Sequence, residues 1–194
     1  GAYSLDGSTL TLAAPAGAVT PTISVATGNR ATISSLLAGT DGFLKTGDGT
    51  LVLSNNGNTF TGDLVIRGGA LVVTDAGQLG LGTSAIGIFG FGNTGNPGFS
   101  GGSLIIQGAT SSPITGLTIA RELSGAGRGP GAVNNSAAIL SIGNNTFTGG
   151  ITLGNGSESR LFASSGITTL QGDTYLTGAA GTVLFGNGNF IASG

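Results

Sequence analysis

The stretch Leu53-Ser-Asn-Asn-Gly-Asn-Thr-Phe-Thr-Gly62 recurs 87 residues later as Leu140-Ser-Ile-Gly-Asn-Asn-Thr-Phe-Thr-Gly149. Each copy follows an apolar run and precedes another strand-like segment, and turns of Gly, Asn, Ser and Thr separate the apolar runs between the two copies. Such a long offset between short, similar segments indicates a chain that passes through one cross-section repeatedly. The pattern predicts a β-solenoid.

The composition supports a folded chain with a core. Of 194 residues, 40 are Gly and 14 are charged, while 39% are hydrophobic. A mean hydropathy of +0.36 is too apolar for intrinsic disorder. The five prolines and the absence of a three-residue glycine period exclude collagen. No linker divides the chain, so we predict one continuous domain over residues 1–194.

Short apolar runs rich in β-branched residues alternate with turn clusters, and no helical periodicity is visible. We therefore predict an all-β fold, a right-handed parallel β-helix. If the 87-residue offset spans four coils, each coil holds about 22 residues and the chain forms about nine coils. Alternation predicts two sets of side chains. Those expected to face inward are Leu51, Leu53, Leu64, Ile66, Leu71 and Val73, and those expected to face outward are Thr50, Val52, Val65, Arg67 and Val72.

The repeated turn is assigned a structural role. We expect Phe60 and Phe147 to stack in neighbouring or aligned coils and fill a corner, and Asn58 and Asn145 to bond the turn backbone. The remaining residues of the two turns are Thr59, Gly62, Thr146 and Gly149. An ice-binding solenoid would need a flat ladder of outward Thr, and the pairs Thr59/Thr61 and Thr146/Thr148 supply only two rungs.

Charge and hydropathy exclude two classes of function. The net charge is −2, and the six basic residues are scattered, whereas phosphate backbones need a basic stripe. We expect no nucleic-acid binding. No apolar stretch reaches the roughly 18 residues of a membrane-spanning helix, so we expect no transmembrane span in this chain.

The residues offer little for catalysis. His and Cys are absent, which removes nucleophilic triads and typical zinc sites. The carboxylates that a glycosidase would need are to be sought among Asp41, Asp48, Asp63, Asp75 and Asp173, and each has a turn signature. The segment Thr46-Gly-Asp-Gly-Thr50 is a single fragment of a calcium-binding repeat. We expect no enzyme activity, no cofactor and no metal.

One segment could bind a partner. Residues 87–99 bring Phe89, Phe91 and Phe99 close together in a Gly-rich stretch. Exposed aromatic side chains on a loop can anchor a protein or a sugar ring, so surface glycans are a candidate ligand. Packing of these rings into the core is the alternative.

Residues 47–80 resemble the autotransporter-associated β-strand repeat. They carry its Gly-x-Gly-Thr-Leu-x-Leu start, Asn-Thr-(aromatic)-Thr-Gly turn, Gly-Gly-x-Leu-x-Val strand and Ala-x-x-Leu-Gly end. Residues 138–154 form a degenerate second copy, which keeps the turn and lacks the Gly-Gly-x-Leu continuation. The resemblance implies a secreted protein at the bacterial outer surface, built as a stalk.

Both ends of the chain read as strand, and open strand edges invite pairing. Two expectations follow: a segment of a longer passenger that contacts flanking coils, or a subunit that stacks head-to-tail with itself into a filament. Both are non-enzymatic and structural, with a role in adhesion or biofilm matrix. The rival is a carbohydrate-binding or carbohydrate-cleaving β-helix.

Overall fold

A computed structural model describes residues 1–14, 20–89, 101–108, 117–119, 121, 123–126, 137–154, 159–177 and 182–192. Short runs of β-branched and aliphatic residues form its strands, because such side chains fit a pleated, partly buried surface. A 3-10 helix spans Ala76–Leu79. In chain order the strands are β1 (Ala2–Leu5), β2 (Leu10–Thr11), β3 (Thr22–Ser24), β4 (Arg30–Ile33), β5 (Leu37–Ala38), β6 (Phe43–Thr46), β7 (Thr50–Leu53), β8 (Leu64–Ile66), β9 (Gly68–Val73), β10 (Ile86–Phe89), β11 (Gly101–Gln107), β12 (Leu117–Ile119), β13 (Leu123–Ala126), β14 (Ile139–Ile142), β15 (Asn145–Phe147), β16 (Ile151–Gly154), β17 (Ser159–Ala163), β18 (Ile167–Leu170), β19 (Thr174–Thr177), β20 (Thr182–Gly186) and β21 (Asn189–Ala192).

The strands pair between successive coils. The largest sheet has the order β1-β4-β7-β9-β11-β14-β17-β20, and a second has the order β19-β16-β13-β10-β8-β6-β3. A four-stranded sheet, β12-β15-β18-β21, and a two-stranded sheet, β2-β5, lie between them along the chain. The pairing is parallel throughout. The predicted all-β solenoid of parallel strands is confirmed.

The coil count and coil length differ from the prediction. The largest sheet has eight strands in the described residues, one for each coil, instead of about nine. Val52 pairs with Val72, Val72 with Ile105, and Ile105 with Leu140, so the offset between the two turns spans three coils instead of four. The reason is unequal coil length: the coils that begin at β9 and β11 are longer than the 20-residue coils that begin at β4 and β7.

The core lies between the sheets. All six side chains predicted to face inward are buried there, which confirms that part of the alternation. Val52 and Val72, predicted to face outward, are only 8% and 5% exposed. They stand in one column with Ile105 and Leu140 on adjacent strands. Because neighbouring coils are about 4.8 Å apart, stacked apolar side chains on the outer face cover one another.

Candidate functional site

Four of the five aspartates considered as catalytic groups accept hydrogen bonds from nearby backbone or hydroxyl groups. Asp75 precedes the 3-10 helix, and its Oδ1 accepts from the Gly77 N–H at 2.8 Å. Asp41 Oδ2 accepts from the Ala14 N–H at 2.6 Å. Asp48 Oδ2 accepts from the Thr27 hydroxyl at 3.4 Å. Asp63 and Asp173 occupy equivalent positions, directly before β8 and β19.

The described residues also contain no metal-binding group. Across those ranges no cluster of three or more His, Cys, Asp or Glu side chains could hold a metal ion. Asp48, in the calcium-like fragment, belongs to no such cluster among the described residues.

The two repeated segments lie between the largest and the second sheet along the chain, and in the second copy Asn145–Phe147 forms strand β15 instead of the predicted turn. The Phe60 and Phe147 rings are both buried. Phe60 packs edge-on against Phe43, with ring centroids 5.6 Å apart. Phe147 pairs with Ile119 and Leu170 on the coils to either side. Each ring fills a corner of the core, but three coils separate the two, so they do not stack on each other.

The two turn asparagines have different partners. Asn58 links three coils: its Oδ1 accepts from the Leu37 N–H at 2.9 Å and its Nδ2 donates to the Gln78 carbonyl at 3.0 Å. Asn145 Nδ2 donates to the Ser141 hydroxyl at 2.9 Å and to the Ile142 carbonyl at 3.1 Å within its own coil, and to the Ile106 carbonyl of the preceding coil at 3.4 Å. Thr59 and Thr148 are exposed, Thr146 is half-buried, and Gly62 and Gly149 close the turns.

The aromatic segment is only partly described. Phe89 is half-buried at the end of β10, where the Arg67 guanidinium carbon lies 5.0 Å from its ring centroid. That geometry is a cation–π contact between neighbouring strands. Phe91 and Phe99 lie outside the described residues, so the proposed partner-binding loop stays a prediction.

A buried lysine is the least expected group in the core. Lys45 stands on β6 between Ile23 and Ile66 of the adjacent strands, a column that faces inward. Its side chain is 0% exposed. The Nζ atom donates to the carbonyls of Thr46, Gly47 and Gly68, each at 2.8 Å. The ammonium group thereby caps the corner where the second sheet meets the largest one.

Burial lowers the pKa of Lys45 from 10.5 to about 8, and the nearby Asp48 carboxylate opposes that shift. The cause is desolvation, which disfavours the charged form of an amine in the interior. Three backbone carbonyls compensate part of this cost, because each is an acceptor for one N–H of the ammonium.

The corner that precedes the strands of the second sheet is lined by glycines, and the Arg121 side chain spans it. Arg121 Nε donates to the Ser84 carbonyl at 2.8 Å, Nη1 to the Leu79 carbonyl at 2.9 Å and Nη2 to the Gly62 carbonyl at 3.3 Å. These bonds tie together three successive coils. Burial lowers the pKa of Arg121, and the Asp63 carboxylate opposes the shift.

An open cleft of about 640 Å³ lies at this corner. Its polar groups are the Arg121 guanidinium and the hydroxyls of Thr83 and Thr118. Leu81, on its rim, is an exposed apolar side chain. The arrangement suits ligand binding, since it offers donors, acceptors and an apolar contact.

Comparison with known proteins finds a similar repeat in part of the chain. Residues 43–73 match the family model of the passenger-associated transport repeat. These residues therefore resemble a repeat of autotransporter passengers, as the sequence predicted, and we name residues 43–73 the passenger repeat. This passenger repeat covers β6 to β9, so it contains Lys45 and the first Asn-Thr-Phe-Thr-Gly turn.

The similarity extends beyond the passenger repeat. Over 165 residues, 84% of the chain, the sequence is 37% identical to the adhesin BmaC autotransporter of Brucella suis biovar 1 (strain 1330). The chain spans 4% of the length of that relative. No solved structure matches the chain. In the described ranges, no helix is long and apolar enough to cross a membrane.

Lys45 and Arg121 were missed by sequence reasoning, which treated both as scattered surface charges. A signal for Lys45 existed: it stands at the third position of a strand whose first residue, Phe43, faces inward. Strict alternation would have placed both side chains in the core. For Arg121 no local signal exists, because its carbonyl partners are 37 to 59 residues away along the chain.

Proposed function

We propose that this chain is a non-enzymatic passenger segment at the bacterial outer surface, where it forms part of a rod and contributes to adhesion. The observation that carries the proposal is the 37% identity to an adhesin autotransporter over 84% of the chain. The parallel stack supports a rod-like role, because main-chain hydrogen bonds join each coil to the next along the whole assembly.

Attachment of coated particles to cultured cells tests the adhesive role. Beads carrying the purified 194-residue chain should bind epithelial cells in a saturable way, and excess soluble chain should compete. Albumin-coated beads are the control. Attachment no greater than that of the control would overturn the adhesive role. Antibody labelling of intact bacteria that produce the full-length protein tests the surface location separately.

Head-to-tail stacking into a fibre, with a role in biofilm matrix, is a second proposal. It is supported by the outermost strands of the largest sheet, β1 and β20, which each pair with one neighbour among the described residues. Electron microscopy at rising protein concentration should show filaments that lengthen with concentration. Short rods of constant length would contradict stacking and leave the passenger segment as the surviving proposal.

A carbohydrate ligand is the third candidate. The corner that holds Arg121, Asp63 and Asp173 supports it, because saccharides are recognised by planar polar groups together with apolar contact. Release of reducing ends from polysaccharides incubated with the chain would indicate cleavage and contradict the non-enzymatic proposal.

A further inference from the structure

We infer that the cleft formed by Thr148, Gln171, Asp173 and Tyr175 binds an uncharged oligosaccharide. This inference rests on the adhesive function proposed above and names its ligand class. The cleft lies at the corner that leads into β16 and β19, and it has a volume of about 470 Å³.

Tyr175 supplies a flat aromatic face at the surface. It pairs with Thr152 on the neighbouring strand, whereas the flanking positions Ile151 and Leu153 are buried in the core. Alternation therefore directs Tyr175 outward, and its side chain is 56% exposed. Its hydroxyl oxygen lies 3.4 Å from Asp173 Oδ2, which places the polar end of the ring beside the carboxylate. An aromatic body with a polar end suits a ligand that has both apolar and hydroxyl surfaces.

Polar groups surround this ring. Gln171 is exposed, and its side-chain amide makes no hydrogen bond to the described residues, so both its donor and its acceptor are available. The Asp173 carboxylate has further acceptor sites beside the one that Tyr175 uses. The exposed Thr148 adds a hydroxyl on the coil below. Amide, carboxylate and hydroxyl groups together match the vicinal hydroxyls of a sugar.

Glycines keep the cleft open. A Cβ at Gly172 would overlap the Gly149 carbonyl, so the coils approach closely and no side chain fills the corner. Gly150 lines this cleft and also the larger cleft at Arg121. The two clefts therefore adjoin at Gly150, and their lining residues come from four coils, about 15 Å at the usual spacing of strands. A chain of a few sugar residues fits these adjoining clefts better than a single ring.

The charges favour an uncharged ligand over an acidic one. Asp173 and Asp63 are exposed at this corner, and the whole chain has a net charge of −2. The Arg121 guanidinium already donates to three carbonyls. A peptide added as a strand is also disfavoured, because the backbone N–H groups of Ile151, Gln171 and Gly172 are bonded to the adjacent coils.

Tyrosine fluorescence tests the site directly, since the chain has two Tyr and no Trp. Tyr3, in β1, is 64% exposed and lies in the first coil, and Tyr3→Phe leaves Tyr175 as the sole fluorophore. We expect saturable changes in its emission with at least one of cellotetraose, chitotetraose, maltotetraose and mannotetraose. Binding of none of these four would overturn the inference, as would binding of a heparin tetrasaccharide alone.

Variants then locate the site. Isothermal titration with the tetrasaccharide that binds should show Kd raised at least about tenfold by Tyr175→Ala and several-fold by Gln171→Ala. Tyr3→Ala is the matched control and should leave Kd unchanged, with circular dichroism showing that every variant is folded. Equal affinity of Tyr175→Ala and the wild type would overturn the assignment of the site. Bead attachment that persists in Tyr175→Ala would overturn the link between this cleft and adhesion and would leave the adhesive function standing.

Discussion

The two Asn-Thr-Phe-Thr-Gly turns have the same sequence and different surroundings. In the first turn, which lies within the passenger repeat, Phe60 meets a second aromatic ring and Asn58 bridges the coils below and above. In the second turn, Phe147 meets aliphatic side chains and Asn145 bonds mostly within its own coil. The same pentapeptide thus packs in two different ways, because the neighbouring coils present different side chains to it.

The buried polar groups differ between the two regions as well. The passenger repeat buries one ammonium, that of Lys45, on three carbonyls. At the register position of Lys45, the coil of the second turn has the buried apolar Leu153. The second region instead buries neutral hydroxyls, with Ser141 Oγ 2.7 Å from Thr168 Oγ1. The first region should therefore respond to pH and the second should not.

Truncating the aromatic rings should produce the largest effect. We expect Phe60→Ala and Phe147→Ala each to lower the free energy of unfolding by about 3–5 kcal/mol, since both rings are buried and leave a cavity. Phe60→Ala should cost about 0.5–1.5 kcal/mol more, because it also loses the ring pair with Phe43. Urea unfolding measures both values. A larger loss for Phe147→Ala would contradict the proposed difference between the turns.

The ammonium of Lys45 should make stability depend on pH. Its pKa is about 8 in the folded chain and 10.5 in the unfolded chain. Between these values the unfolded state binds one more proton, so the free energy of unfolding should rise with pH, by up to about 3 kcal/mol. Below pH 8 the lysine is charged in both states and contributes no slope.

Urea titrations from pH 7 to pH 10.5 check this expectation. Lys45→Met fills the same space without a titrating group and should remove the slope. Ser141→Ala, in the second region, is the matched control and should retain it. An equal slope in the wild type and in Lys45→Met would show that other groups produce it.

The glycines of the corner should tolerate no side chain in either region. A Cβ at Gly62 would overlap the Gly42 backbone nitrogen, and one at Gly172 would overlap the Gly149 carbonyl. We expect Gly62→Ala and Gly172→Ala to lower the melting temperature, with a cost of about 1–3 kcal/mol each. Gly57→Ala is the control, since its nearest neighbour is the Asn55 side chain at 3.3 Å. A cost at Gly57 equal to that at Gly62 would contradict the overlap as the cause.

Replacing the turn asparagines should give the smallest changes in the free energy of unfolding, and these changes should differ between the two turns. Asn58→Ala leaves the Leu37 N–H and the Gln78 carbonyl without their side-chain partner in the interior, and should cost about 1–2 kcal/mol. Asn145→Ala should cost less, because the Ile142 carbonyl also accepts from the Gly108 N–H at 2.8 Å. Denaturant midpoints of the two variants measure the difference. Equal losses would mean that the turns are equivalent after all.

Much of the fold was predictable from local pattern. Alternation at Leu51 and Leu53, and at Leu71 and Val73, identified the inward faces correctly, because the side-chain period of a strand is a local property. The coil length was not predictable from the 87-residue offset. The offset is the sum of the lengths of several coils. Because those coils differ in length, the sum does not give their number.

The candidate site was predictable only in part. Sequence reasoning weighed Asp173 as a catalytic group, yet it did not place Tyr175 beside it. Asp173 and Tyr175 are two residues apart in the sequence. The cleft that they line is completed by glycines, one of which belongs to another coil. The sequence therefore contains no sign that Tyr175 belongs to a site.

The sequence by itself determined the class of this protein: an all-β solenoid with a passenger repeat, short strands and glycine turns, because strand alternation, turn chemistry and repetition are all encoded within a few residues. Only the tertiary structure decided which coils stack on which. That stacking buried the ammonium of Lys45 and tied Arg121 to carbonyls up to 59 residues away. It also opened the cleft beside Tyr175. The physical reason is that register between coils depends on the length of every intervening loop, which no local pattern contains.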